Sequence, residues 1–270
     1  MWTFPQCVRS WIVSDRSVER PGIGGKARKG ANTPVVSDVA ANVSRVRERI
    51  ATAARRGGRR VEDILLVAVS KGVDPTQMLA AAGSGVTDFG ENRVQEALPK
   101  ITHLRPQVAG AVRWHLVGHL QRNKARQAVQ LFEVIHSVDS VGLAIALDQR
   151  AAQAGRICEV LVQVNVASEP QKFGMGPEAL PAMLQSLSAL SGIRVVGLMT
   201  IAPQADHPEV ARPVFRRLRE LRDEVTRGGL APAFAHLSMG MSEDFEVAVE
   251  EGATMVRIGR AIFGPRPRGT

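Results

Sequence analysis

The chain has no tyrosine among its 270 residues, and aromatic residues together make up only 4% of it. Its two cysteines, Cys7 and Cys158, are too few for a disulfide framework, and neither has a histidine or a second cysteine at metal-ligand spacing. No apolar run approaches the roughly 20 residues that a membrane-spanning helix needs. We therefore expect a cytoplasmic globular protein without a metal site or a membrane segment.

Positive charge is in excess, and the net charge is +9. Residues 1–34 contribute +4 of this, because they hold six Lys and Arg residues against Asp15 and Glu19. Four more arginines, between residues 55 and 60, fall at the end of a predicted helix, where cations complement the helix dipole. These positions account for much of the charge without a nucleic acid, so no nucleic-acid partner is expected.

Three segments follow from the sequence pattern. Residues 1–34 lack a helical or strand period and are rich in Gly, Arg and Pro, which predicts a disordered N-terminal extension. Apolar residues then recur at three- and four-residue steps, which predicts a helix over residues 37–56, capped by Ser37 or Asp38. The patterned region, residues 35–264, is predicted to be one domain, and residues 265–270 a short tail.

Short apolar runs alternate with helical patterns through this region. The predicted strands are residues 64–70, 86–89, 114–117, 133–137, 159–166, 194–200, 235–239 and 255–258. The predicted helices between them are about 75–82, 91–104, 121–131, 140–154, 177–190, 208–227 and 242–251. Eight strands in this order predict an α/β fold, a single-domain (β/α)8 TIM barrel, in which the leading helix fills the place of the eighth.

Functional groups of such barrels lie at the C-terminal ends of the strands. The first strand leads into Ser70 and Lys71. An amine held there and shielded from water has its pKa lowered by desolvation, so it becomes a nucleophile toward a carbonyl, which is the chemistry of a Schiff base. The alternative is that Lys71 only extends its ammonium group into solvent.

The loops after the last two strands predict an anion site. Ser238 and Gly240 end one strand, Gly259 follows the other, and free N–H groups of such loops converge on phosphate in many barrels. The alternative is a pair of ordinary glycine turns. Ser242 is predicted to be the N-cap of the following helix, with Asp244 in its first turn.

Arg257 adds a cation to the same region. In the last strand it shares a face with Met255 and Gly259, so one face of the strand carries a guanidinium group. Inside a barrel this charge requires an acceptor, which can be a phosphate ester, a carboxylate or the lone pair of a pyridine nitrogen. A buried Arg–Glu pair without a ligand is the alternative.

Several motifs together resemble those of the pyridoxal-phosphate homeostasis protein family, single-domain relatives of the alanine racemase barrel. The resemblance covers about residues 35–264. It rests on the segments AVSK (68–71), FGENRVQE (89–96), WHLVGHLQRNK (114–124), GLMT (197–200), LSMGMS (237–242) and VRIGRAIFG (256–264). Their number and order make the resemblance specific.

The resemblance implies that pyridoxal 5′-phosphate is the cofactor and Lys71 its Schiff-base lysine. It places Asn92 at the edge of the cofactor and Arg257 opposite the pyridine nitrogen. The residues that it assigns to the phosphate and to the remaining walls of the pocket are Ser238, Gly240, Gly259, the backbone of Arg260, and Met199. Members usually carry threonine where this chain has Arg260, so a hydroxyl contact is missing there.

The resemblance also implies a cofactor carrier for pyridoxal 5′-phosphate homeostasis, with apo-enzymes as transient partners and a monomeric or weakly dimeric state. The alternative is an alanine-type racemase, which needs a second base opposite Lys71. Related racemases take a tyrosine from a second domain, and this chain has neither tyrosine nor an expected second domain. We therefore expect no catalytic residue. A third possibility is a barrel that binds another phosphorylated metabolite.

Overall fold

The computed structural model describes residues 36–108, 112–230 and 234–265. Eight parallel strands form a closed barrel in sequence order, and the last strand pairs with the first. The strands are β1 (Leu65–Val69), β2 (Asp88–Glu91), β3 (Arg113–Leu116), β4 (Val134–Val138), β5 (Cys158–Gln163), β6 (Ile193–Met199), β7 (His236–Ser238) and β8 (Met255–Ile258). The predicted (β/α)8 barrel is confirmed.

The helices surround the barrel. They are α1 (Val36–Arg56), α2 (Pro75–Gly83), α3 (Val94–Leu104), α4 (Ala125–Leu131), α5 (Val141–Gln153), α6 (Leu180–Leu187), α7 (Arg212–Arg227), α8 (Phe245–Glu250) and α9 (Arg260–Phe263). The leading helix α1 packs against α2, α8 and α9, and so fills the predicted gap in the helical ring. Arg49 and Arg56 of α1 form ion pairs with Glu246 and Glu250 of α8.

Several predicted element boundaries are wrong, and three of them lie near the strand ends that form the site. Strand β2 ends at Glu91 instead of residue 89, and α3 begins at Val94 instead of residue 91, because the carboxylate of Glu91 has buried partners within the sheet layer. Helix α8 begins at Phe245, so Ser242 is not its N-cap; the Ser242 hydroxyl accepts from the N–H of Ala261 at 3.3 Å.

At the start of the barrel domain, α1 begins at Val36, which places Asp38 in its first turn and not at the cap position. The predicted disordered extension, residues 1–34, lies outside the described residues. So does the predicted tail after residue 265.

Two apolar layers form the core. The larger one lies between the sheet and the helices and includes Val256 and Ile258 of β8. The smaller one fills the barrel interior; its members are Val134, Leu161, Val196, Met199 and Met255. Because β8 alternates between these layers, Arg257 shares the interior face with Met255. No helix in the described part of the chain has the length and hydropathy to cross a bilayer.

Candidate cofactor-binding site

Lys71 lies directly after β1, at the open end of the barrel, and is half-buried. The peptide before it is held firmly. Ser70 donates its backbone N–H to the carbonyl of Gly90 at 2.8 Å, and its own carbonyl accepts from Lys100 Nζ at 2.6 Å. The backbone that carries Lys71 is therefore fixed by the neighbouring strand β2 and by helix α3.

A buried ion pair stands behind this strand end. The Glu91 side chain is fully buried, and its Oε1 accepts from Lys100 Nζ at 2.9 Å and from the Ser70 hydroxyl at 2.7 Å. Its other oxygen, Oε2, has no hydrogen-bond partner among the described residues. The pair neutralises both charges directly, so it anchors the ends of β1 and β2 to α3.

Asn92 follows β2 and is half-buried beside the same opening. Gly118, after β3, packs on its backbone so closely that a Cβ atom at residue 118 would collide with the Asn92 carbonyl oxygen. The glycine in the motif WHLVGHL thus lets β3 approach and fix the turn that presents Asn92.

The ends of β7 and β8 meet on the other side of Lys71. Gly240 has a φ of +92°, and a Cβ atom there would lie 2.6 Å from the Cβ of Ala248. A Cβ at Gly259 would lie 3.1 Å from the carbonyl oxygen of Val69, the last residue of β1. Only glycine fits Gly240, and Gly259 brings the end of β8 against the strand that carries Lys71.

Arg257 is buried in the barrel interior, where 4% of its surface is exposed. Its Nη1 donates to the Ser238 hydroxyl oxygen at 2.7 Å, and its Nη2 donates to the Thr200 carbonyl at 2.9 Å. Burial lowers the pKa of the guanidinium to about 10, and the charge of Asp244 opposes that shift. Within the described residues, no carboxylate forms an ion pair with Arg257, so the buried Arg–Glu alternative is wrong.

Ser238 connects Arg257 to two buried histidines. The Ser238 Oγ lies 2.8 Å from His136 Nδ1, and His136 Nε2 lies 2.8 Å from His115 Nδ1. His115 Nε2 in turn lies 2.8 Å from Asp88 Oδ1. These five side chains form a continuous hydrogen-bonded row across the barrel, which we call the interior relay.

The relay histidine beside Ser238 is neutral. Burial, together with the nearby charge of Arg257, lowers the pKa of His136 well below its ordinary value. Burial would raise the pKa of Asp88, but the hydrogen bonds from His115 and Thr87 outweigh it, and the pKa lies below its usual range. The carboxylate end of the relay is therefore ionised.

Two further predicted site residues take different positions. Met199 is buried in the interior core and lies beside Ser238 in the register of β6 and β7. The Arg260 side chain is exposed and pairs with Glu243 at 3.2 Å, so only its backbone, at the start of α9, faces the end of β8. The phosphate assignment to the backbone of residue 260 stays a prediction.

The arrangement fits a phosphorylated pyridine aldehyde. Direct contacts or neighbouring register join four of the site residues, namely Met199, Ser238, Gly240 and Arg257. Strand β1 pairs with β8, which is followed by Gly259, and with β2, which is followed by Asn92. A buried cation with two neutral partners can donate to a ring nitrogen, and the glycine turns admit an anion. No three His, Cys, Asp or Glu side chains converge as a metal site in the described residues.

Comparison with known proteins identifies the family. The family model for the alanine racemase N-terminal domain matches residues 39–267. The pyridoxal phosphate homeostasis protein of Aquifex aeolicus is 44% identical over 224 residues, which are 83% of this chain and 96% of that protein. The chain belongs to the pyridoxal phosphate homeostasis protein family. The Escherichia coli K12 member is 38% identical over 239 residues and is covered to 98%.

Solved structures of relatives agree with the fold of the family. PipY of Synechococcus elongatus, in a structure with pyridoxal phosphate bound, is 36% identical, with a TM-score of 0.73. The match covers 84% of this chain and all of that one. Alanine racemase of Clostridium difficile matches with a TM-score of 0.67 at 17% identity and is covered to 60%, a likeness of fold alone.

The sequence analysis gave no role to the relay residues Asp88, His115 and His136, nor to Lys100. A signal was present for His115 and His136, since each is a polar residue within a strand that is otherwise buried, on the face that alternation assigns to the interior. Lys100 carried no such signal, because a lysine on a helix ordinarily points into solvent.

Proposed function

We propose that this chain binds pyridoxal 5′-phosphate at the open end of the barrel, holds it on Lys71, and serves the intracellular homeostasis and delivery of the cofactor. The observation that carries the proposal is the buried Arg257 guanidinium with only neutral hydrogen-bond partners, next to two glycine turns and the β1 end. The family membership of the chain and the bound pyridoxal phosphate of PipY support it.

We propose the following contacts, which the position of these residues around the open end of the barrel supports. Lys71 would hold the cofactor through its Nζ, and the cofactor would supply an aldehyde for a Schiff base, with the loss of one water. The backbone of Gly259 and Arg260 and the hydroxyl of Ser238 hold the phosphate. Met199 and Gly240 form the adjoining wall, and Asn92 contacts the ring edge.

Arg257 limits the chemistry. It donates to the pyridine nitrogen, so the nitrogen stays unprotonated and the ring is a poorer electron sink than one paired with a carboxylate. Racemisation also needs a second base, the chain has no tyrosine, and His136 is committed to the relay and neutral. We therefore propose a carrier without catalytic residues. The alanine-type racemase is not favoured by any of these contacts.

The setting of the carrier is part of the proposal. We infer a cytoplasmic protein, monomeric or weakly dimeric, that passes the cofactor to apo-enzymes in transient encounters. The homeostasis names of the relatives support this role. Recovery of activity by an apo-enzyme mixed with loaded protein, compared with the same concentration of free cofactor, measures the transfer.

The decisive experiment uses the reconstituted full chain. We expect a yellow protein whose visible absorption band is discharged by borohydride, and peptide mapping that locates the reduced adduct on Lys71. Lys71→Ala is expected to lose the band and the adduct, whereas the matched control Lys124→Ala keeps both. A colourless protein without an adduct contradicts cofactor binding. Alanine racemisation with a kcat on the order of 1 to 1000 per second contradicts the carrier role.

A further inference from the structure

The interior relay permits only one placement of its hydrogens when the histidines are neutral. Arg257 can only donate, so Ser238 Oγ accepts from it. The ionised Asp88 can only accept, so His115 donates through Nε2 and its Nδ1 is an acceptor. His136 must then donate through Nε2 to His115, and its Nδ1 must accept the hydrogen of the Ser238 hydroxyl.

This order joins two opposite charges that do not touch. The Arg257 cation and the Asp88 carboxylate are linked through Ser238, His136 and His115, and every hydrogen bond runs from the cation toward the carboxylate. In this order the Ser238 hydroxyl donates its single hydrogen to His136. In this state Ser238 has no hydrogen to give to a phosphate oxygen.

We propose that phosphate binding at Ser238 reverses the inner part of the relay and takes up one proton. Ser238 donates its hydrogen to the phosphate. A proton from solvent binds at His136 Nδ1, and this N–H then donates to Ser238. The Nε2 proton of His136 passes to His115 Nδ1. His115 then carries both of its N–H groups, one toward His136 and one toward Asp88. The inference rests on the proposed function, since that function places the phosphate at Ser238.

The surroundings make the His115–Asp88 pair the place for the added charge. Arg113 Nε lies 4.0 Å from Asp88 Oδ1 on the same side, but its guanidinium is also paired with Glu159 of β5 at 2.8 Å. His236 on β7 has its pKa lowered by burial and contacts Thr254. Arg257 is a further neighbouring charge, whereas the interior faces of β1 and β6 contribute apolar residues, among them Leu65, Val196 and Met199.

Histidine-selective ¹⁵N NMR of the wild-type chain tests the reversal directly, because the nitrogen shifts distinguish the two tautomers. We expect the Nε2–H tautomer for His136 without cofactor, and after loading with pyridoxal 5′-phosphate a protonated Nδ1 on His136 and an imidazolium at His115. His136→Gln and His115→Gln assign the signals, and the exposed His207 is the internal control.

A second readout counts the protons. Calorimetric titration with pyridoxal 5′-phosphate at pH 8, in two buffers of different ionisation enthalpy, should give about one proton more for the wild type than for Ser238→Ala or Asp88→Asn. A protein that turns yellow while His136 keeps its tautomer, or with equal proton uptake in all three chains, overturns the reversal and leaves the proposed function standing. Absence of the visible band overturns both.

Discussion

The two ends of the candidate site bury charge in opposite ways. Behind β1 and β2, Glu91 and Lys100 meet at 2.9 Å, and each charge is cancelled by its direct partner. Behind β7 and β8, Arg257 meets a hydroxyl and a carbonyl, and its nearest route to a carboxylate passes through three other side chains. The first arrangement cancels its own charges, while the second leaves a buried cation that a ligand can still neutralise or accept from.

The difference separates support from function. A direct buried pair fixes geometry but has little left to offer a ligand, and its removal leaves an uncompensated charge. A buried cation with neutral partners costs desolvation in the empty protein, a cost that a ligand acceptor can offset. Substitution at the β1–β2 end should therefore reduce stability, and substitution at the β7–β8 end should mainly reduce cofactor binding.

The largest effect is expected from Lys100→Met. The change removes the cation and leaves Glu91 buried with only the Ser70 hydroxyl, so the free energy of unfolding should fall by about 3–5 kcal/mol. Urea denaturation of the cofactor-free chain measures it. The double variant Glu91→Leu/Lys100→Met should recover most of the loss, because no charge is then left unpaired; a double variant as unstable as the single one contradicts the ion-pair interpretation.

Arg257→Met should reduce cofactor binding more than it reduces the stability of the chain. Loss of a charged donor to the ring nitrogen should weaken cofactor binding by about 1.5–3 kcal/mol, or roughly tenfold to a hundredfold. The cofactor-free chain should lose less stability than Lys100→Met does, because the substitution also removes a buried charge. Absorbance titration gives the affinity and urea denaturation gives the stability. Unchanged affinity contradicts the placement of Arg257 at the cofactor.

The sequence allowed the barrel, the order of its strands and the shared face of Met255 and Arg257 to be predicted, because these depend on local periodicity. The partners of Arg257 were not predictable, since Ser238 ends β7, Thr200 follows β6, and both meet Arg257 only after the barrel closes. The same holds for Lys100, whose helix position alone gives no reason to expect a buried contact with Glu91. The mistaken start of α8 has a related cause, because Ser242 bonds to Ala261 across the fold.

A third prediction concerns acid stability through His136. The pKa of His136 in the folded chain lies below its ordinary value. Below about pH 6.5 the unfolded chain therefore binds a proton that the folded chain does not bind, and the free energy of unfolding falls as the pH falls. For a group that stays fully neutral in the folded chain the loss at pH 5.5 is about 1.4 kcal/mol relative to high pH, which is the upper limit for His136. Denaturation at pH 7.5 and 5.5 should show a loss smaller by up to this amount in His136→Gln, whereas His207→Gln should match the wild type. An equal pH loss in all three chains contradicts a neutral buried His136.

The smallest effect is expected from Arg260→Thr, which introduces the hydroxyl that the family resemblance leads us to expect at this position. The Arg260 side chain is exposed and paired only with the exposed Glu243, so stability should change by less than about 1 kcal/mol. If the start of α9 faces the phosphate, the new hydroxyl adds one hydrogen bond of about 0.5–1.5 kcal/mol and tightens cofactor binding about two- to tenfold. Arg260→Ala is the matched control, because it removes the same ion pair without supplying a hydroxyl. A gain in affinity shared by both variants would assign the effect to loss of the arginine, and no gain in Arg260→Thr would place the phosphate away from this turn.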